Sequence, residues 1–122
     1  MPDTAEYLKR IGELARKNDP IELRRQTPAV LAELIAGASE EQLKTRPNPN
    51  RWSVAEILAH LAEDEIATAW RYRRMLEHKG IALAGFDQDL WARAGNYAAG
   101  NPENRWSFSG YFARSTCNFW NN

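Results

Sequence analysis

The sequence predicts an all-α fold in a single domain spanning residues 1–122, and three observations carry that prediction. Residues 51–78 join a helix-start signature to apolar side chains that recur at three- and four-residue steps over about seven turns. A second run, Val30, Leu31, Leu34 and Ile35, repeats that spacing between Thr27-Pro28 and Gly37. Start signals of the same kind stand at Ser39, Asp87 and Asn101, so helix is expected to follow helix along the chain.

In chain order, Asp3 or Thr4 can cap a first helix whose Tyr7, Leu8, Ile11, Leu14 and Ala15 follow helical spacing up to the stop at Asn18-Asp19-Pro20. Asp19 and Pro20 restart a turn carrying Ile21, Leu23 and Arg24. Thr27 then reads as an N-cap with Pro28 at the first helical position, where a missing N–H costs nothing, and Gly37 closes the helix. Ser39-Glu40-Glu41-Gln42 is a capping box over a single turn, with Leu43 as its anchor. Arg46-Pro47-Asn48-Pro49-Asn50 is too rich in proline and asparagine for helix or paired strand, and gives a rigid connector.

Ser53 and Glu56 form the capping box that opens the long helix, and Trp52 is placed to fold back on the first turn as a hydrophobic staple. With Val54 set to zero and about 100° per residue, Val54, Ile57, Leu58, Leu61, Thr68, Tyr72, Met75 and Leu76 fall within about 60° of one direction. Glu65 lies near the centre of that stripe, which marks it as a partner for an arginine such as Arg71 or Arg93, or as support for an imidazole. His60, Asp64, Arg71 and His78 share one flank, a polar seam that either lines a pocket or borders solvent. Lys79-Gly80 ends the helix, Ile81–Phe86 reads as a loop packed under the helices, and Asp87 caps a short helix through Leu90, Trp91 and Ala94 that stops at Gly95.

Sixteen acidic and sixteen basic residues balance, so no whole-chain field recruits nucleic acid or an anionic membrane. No apolar run approaches the about 20 residues that a membrane span needs. A single cysteine, Cys117, excludes an internal disulfide, and the N-terminus carries no leader pattern, so a cytoplasmic location is expected.

Asn101-Pro102-Glu103 announces another helix, yet no Leu, Ile, Val or Met occurs from Trp91 to Asn122. Residues 103–122 are an atypical aromatic tail rich in serine and asparagine, without a clear period.

The run R-W-S-V-A-E-I-L-A-H from Arg51 to His60 resembles the signature of the DinB-like/YfiT-like superfamily of metal-dependent enzymes. The Pro-Asn-Pro lead-in, the E-D-E after the histidine, R-Y-R-R-M-L-E-H and G-F-D-Q-D-L-W are similar to that family as well, over Thr27 to Asn101. The resemblance implies a four-helix bundle of up-down-down-up connectivity. It also implies a divalent metal, commonly Zn or Ni, held at one end by three histidines: one from the helix of His60, two from an H-x-x-x-H pair on the last helix. Such a site would activate water or a thiolate at an open coordination position.

This chain departs from that pattern. Its other histidine, His78, lies along the same helix about 27 Å from His60 at 1.5 Å per residue, so the two cannot share an ion. The expected bundle is therefore incomplete, with the third helix altered after Glu103 through a frame shift or truncation, and the last helix missing.

The expectation is a domain related to metal-dependent thiol transferases and hydrolases that lacks most of the metal site. His60 is the single remaining family ligand, with Trp52, Asp64, Glu65 and Arg71 around it, no assignable catalytic residue and no bound cofactor. A homodimer is expected, with Trp106, Phe108, Phe112, Phe119 and Trp120 in its interface. The alternative is a functional metal-dependent enzyme, acting on a small molecule or thiol, whose site is completed across that dimer by two His60 side chains helped by Asp64 or Glu65.

Overall fold

The computed structural model describes residues 3–101, which are helical without strands: α1 (Thr4–Lys17), α2 (Pro20–Ile35), α3 (Glu40–Lys44), α4 (Val54–Glu77), α5 (Gln88–Ala94) and a final 3-10 turn (Tyr97–Ala99). The helix opening at Asn101-Pro102-Glu103, the aromatic tail of residues 103–122 with Cys117, and the dimer contacts assigned to that tail lie outside the described residues.

Most start signals work as the sequence expects. The Asp3 side chain accepts from the Ala5 N–H at the head of α1. Both capping boxes close: the Ser39 and Gln42 pair on α3, and on α4 the Glu56 N–H donates to Ser53 Oγ at 3.2 Å while the Ser53 N–H donates to Glu56 Oε2 at 2.8 Å. Asp87 caps α5 through the N–H groups of Asp89 and Leu90. Gly37 and Gly80 both adopt positive φ just past α2 and α4, at 79° and 77°, a conformation that a side chain would strain.

One boundary differs from expectation. Thr27 does not start a helix; α2 runs unbroken from Pro20 through Pro28. Asp19 is the cap that wins, accepting from Ile21 N–H at 2.9 Å and Glu22 N–H at 3.3 Å, with Pro20 at the first position. The Thr27 hydroxyl instead donates to the Leu23 carbonyl one turn back at 2.7 Å.

The buried face of α4 also differs. Ala55, Leu58, Ala59, Ala62 and Ala69 are buried, whereas Val54, Ile57, Met75 and Leu76 are exposed. At about 100° per residue the core direction is rotated by about 80° from the stripe of large apolar residues. Small side chains allow neighbouring backbone to come close, and α3, α5 and the 3-10 turn all pack on α4. Tyr97, carried by that turn, is the largest fully buried side chain. No residue of α1, α2, α3 or α5 is buried.

Candidate functional site

The capped start of α4 fixes Trp52 just before the helix and places His60 two turns inside it. Trp52 and His60 meet edge to face, with ring centroids 5.3 Å apart. The Tyr97 ring stands 6.3 Å from Trp52, and its hydroxyl donates to Glu63 at 2.9 Å, which anchors the 3-10 turn to α4. Phe86 stands 6.4 Å from the imidazole and is itself stacked on Trp91 of α5 at 4.3 Å. The histidine is thus half-buried in an aromatic cluster drawn from the connector, α4, the loop before α5, α5 and the final turn.

Within that cluster His60 Nδ1 is buried and has no hydrogen-bond partner among the described residues. A buried polar atom left in this state is costly unless water or a ligand serves it.

Arg71 supports the cluster from a distance. It donates to the Ala84 carbonyl at 2.6 Å, and its guanidinium carbon lies 5.4 Å from the centre of the Phe86 ring, so it holds the loop that presents Phe86. Asp64 is half-buried one turn beyond His60, and no hydrogen bond joins the two among the described residues. His78 is exposed at the C-cap of α4, remote from the cluster.

Glu65 faces away from His60. It is ion-paired with Arg24 of α2, whose guanidinium also lies over the Tyr72 ring at 5.8 Å. The salt-bridge reading of Glu65 is what the structure shows, but its partner is Arg24 rather than Arg71 or Arg93, and the pair clamps α2 to α4. Burial pushes the Glu65 carboxyl above the ordinary carboxylate range, and the charge and hydrogen bond of Arg24 oppose that rise.

A second carboxylate secures the cap itself. Glu56 is buried and receives the Arg46 Nε–H at 2.9 Å and an Arg46 Nη2–H on its other oxygen, as well as the Ser53 amide. The hydrogen bonds from Arg46 hold the Glu56 carboxyl below its ordinary pKa, against the opposing effect of burial. Arg46, Trp52 and Glu56 also wall a cavity of ≈ 390 Å³ toward α5. Sequence reasoning missed Arg46, Arg24, Phe86 and Tyr97 because each acts through a long-range contact that no local pattern announces.

Residues 23–106 match the sequence profile of the DinB superfamily, which covers more than half of the chain. This chain belongs to the DinB superfamily. A relative of this DinB chain from Geobacillus thermodenitrificans, named "Putative metal-dependent hydrolase", is 30% identical over 69 residues, covering 57% of this chain and 39% of that protein. Among solved structures, YfiT from Bacillus subtilis, described as "a probable metal-dependent hydrolase with an unusual four-helix bundle topology", superposes with a TM-score of 0.75 at 18% identity. That match covers 83% of this DinB chain and 58% of YfiT, so the chain spans little more than half the length of the one and less than half of the other.

The metal dependence in those names can be tested against the residues of this chain. Zinc-type sites take three or four convergent ligands. Among the described residues of this DinB chain no group of three or more His, Cys, Asp or Glu is placed to hold a metal ion. His60 Nδ1 is buried and without a hydrogen-bond partner among the described residues, but one nitrogen inside an aromatic cluster does not fit the requirement alone. Among the same residues, no helix is long and apolar enough to cross a membrane.

Proposed function

We propose that this chain is a non-catalytic helical module of the DinB fold that self-associates to cover its apolar helix faces. The observation that carries the reading is where the large apolar side chains lie. Leu8, Ile11 and Leu14 of α1, Leu23, Val30 and Leu34 of α2, and Ile66, Trp70 and Leu76 of α4 are all exposed. The buried set is dominated by the alanines of α4. An exposed apolar stripe along a helix, as on α1, marks an interaction site.

Size-exclusion chromatography with light scattering at micromolar concentration tests the reading. It should return twice the chain mass of 13.9 kDa, whereas a monomer would refute self-association.

One observation favours a second reading. The unpartnered His60 Nδ1 is what a half-site would present if two copies completed one ion across a two-fold axis, giving a metal-dependent enzyme that acts on a small molecule or thiol. In that case metal analysis returns one ion per two chains, and His60→Ala abolishes it.

A further inference from the structure

We propose that α1 is the element through which two copies of this chain associate, pairing antiparallel across a two-fold axis at Ile11. The proposal rests on the self-association put forward above and names its surface. Tyr7, Leu8, Ile11 and Leu14 are 54%, 61%, 45% and 51% exposed, and no residue of α1 is buried. These four side chains form one stripe with the charged residues of α1 on the opposite side, the pattern of a helix whose apolar face has a partner.

The symmetry of the stripe identifies that partner. With Ile11 at zero and about 100° per residue, Leu8 and Leu14 fall about 60° to either side, and Tyr7 and Ala15 about 40° to either side. Reversing the chain direction about Ile11 therefore maps the stripe onto itself. In an antiparallel pair Leu8 shares a layer with Leu14 of the second copy, Tyr7 with Ala15, and Ile11 with Ile11. A self-complementary patch is what a two-fold interface requires.

The flanks agree. Glu6, Arg10 and Lys17 line one side of the stripe, about 100–140° from Ile11, and Ala5, Gly12 and Arg16 line the other. In an antiparallel pair each flank meets its own copy. Glu6 and Lys17 stand five and six residues either side of Ile11, which brings opposite charges to within about 1.5 Å of the same level, twice per dimer. On the second flank Arg16 folds back over Gly12, its Nε–H donating to the Gly12 carbonyl at 3.1 Å, and in the antiparallel pair the second copy presents Ala5 near the level of Arg16 rather than a like charge. The one like-charge contact is Arg10 against its own copy. An anionic lipid surface fits less well, because α1 mixes Glu6 and Glu13 among its basic residues and the acidic Glu6 sits at the flank of the stripe.

The test uses the full chain with light scattering and circular dichroism. Wild type should run at twice 13.9 kDa, and Leu8→Glu/Ile11→Glu should run at 13.9 kDa with unchanged helical signal. Glu6→Lys or Lys17→Glu alone should weaken the dimer by about threefold to tenfold, and the two together should restore it. Arg10→Gln should tighten it.

A dimer that survives Leu8→Glu/Ile11→Glu overturns this interface while leaving self-association standing; a monomeric wild type overturns both. If the double glutamate variant loses helix, the charge exchange decides, and failure of the paired exchange to restore the dimer sinks the proposal. A wild-type monomer that co-sediments with phosphatidylserine vesicles also overturns it, in favour of the lipid surface.

Discussion

Removal of the Glu56 carboxylate should destabilise the chain more than any other single change at the head of α4. That group closes the capping box, receives the Arg46 fork and satisfies the buried Ser53 amide at 2.8 Å. Glu56→Ala loses the box, worth about 1 kcal/mol, and leaves the Ser53 N–H buried without an acceptor, worth about 1–2 kcal/mol more. At about 4 °C per kcal/mol for a chain of this length, the melting temperature should fall by about 8–12 °C.

Glu56→Gln keeps an acceptor for Ser53 and should lose less than half of that. Thermal unfolding followed by circular dichroism at pH 7 provides the comparison. The pH dependence follows from the same bonds. Because the folded-state pKa of Glu56 is lowered, its stabilisation is fully present above the ordinary value of 4.5 and disappears as pH falls through the lowered folded value. Glu56→Gln should flatten that part of the acid limb. A Glu56→Ala variant melting within about 2 °C of wild type would instead mean that solvent replaces every one of these bonds.

The Arg24 and Glu65 pair makes the opposite kind of prediction. Arg24→Met should lower the melting temperature because it strands a half-buried carboxylate, while Arg24→Met/Glu65→Met should recover most of the loss. With the folded-state pKa of Glu65 raised, its ionisation opposes folding, so the stability of Arg24→Met should fall as pH rises from about 4.5 upward; a flat profile there would contradict the placement of Glu65. Gly95→Ala should cost about 1–3 kcal/mol, because the new Cβ would stand 2.9 Å from the buried Tyr97 ring and 3.1 Å from the Trp91 carbonyl, and an unchanged melt would refute the packing of the final turn. His60→Leu should melt at or above wild type, since the buried Nδ1 has no hydrogen bond to lose; a drop of several degrees would reveal a partner for it.

What was legible in the sequence follows the range of the forces involved. Caps act within three residues, so Ser39, Ser53, Asp87 and the glycine stops placed α3, α4 and α5 without any knowledge of the fold. Competition between two good caps was not decidable locally: Asp19-Pro20 and Thr27-Pro28 carry the same signal, and the helix passes straight through the second. The orientation of α4 was misread because the large apolar residues Val54 and Ile57 outweigh alanines in any periodicity, whereas close packing favoured the alanine face. His60 and Trp52 were found from their local motif. Phe86, Trp91 and Tyr97 complete the cluster by long-range contact, and the partners Arg24 and Arg46 are set by how α2 and the connector lie against α4.

The non-catalytic role proposed for this DinB chain turns on whether His60 holds a metal ion. Elemental analysis of the purified full chain, wild type beside His60→Ala, tests it most directly. A non-catalytic module should show a metal content far below one ion per two chains, the same in both proteins. Zinc or nickel at one ion per chain or per two chains, lost in His60→Ala, would contradict it.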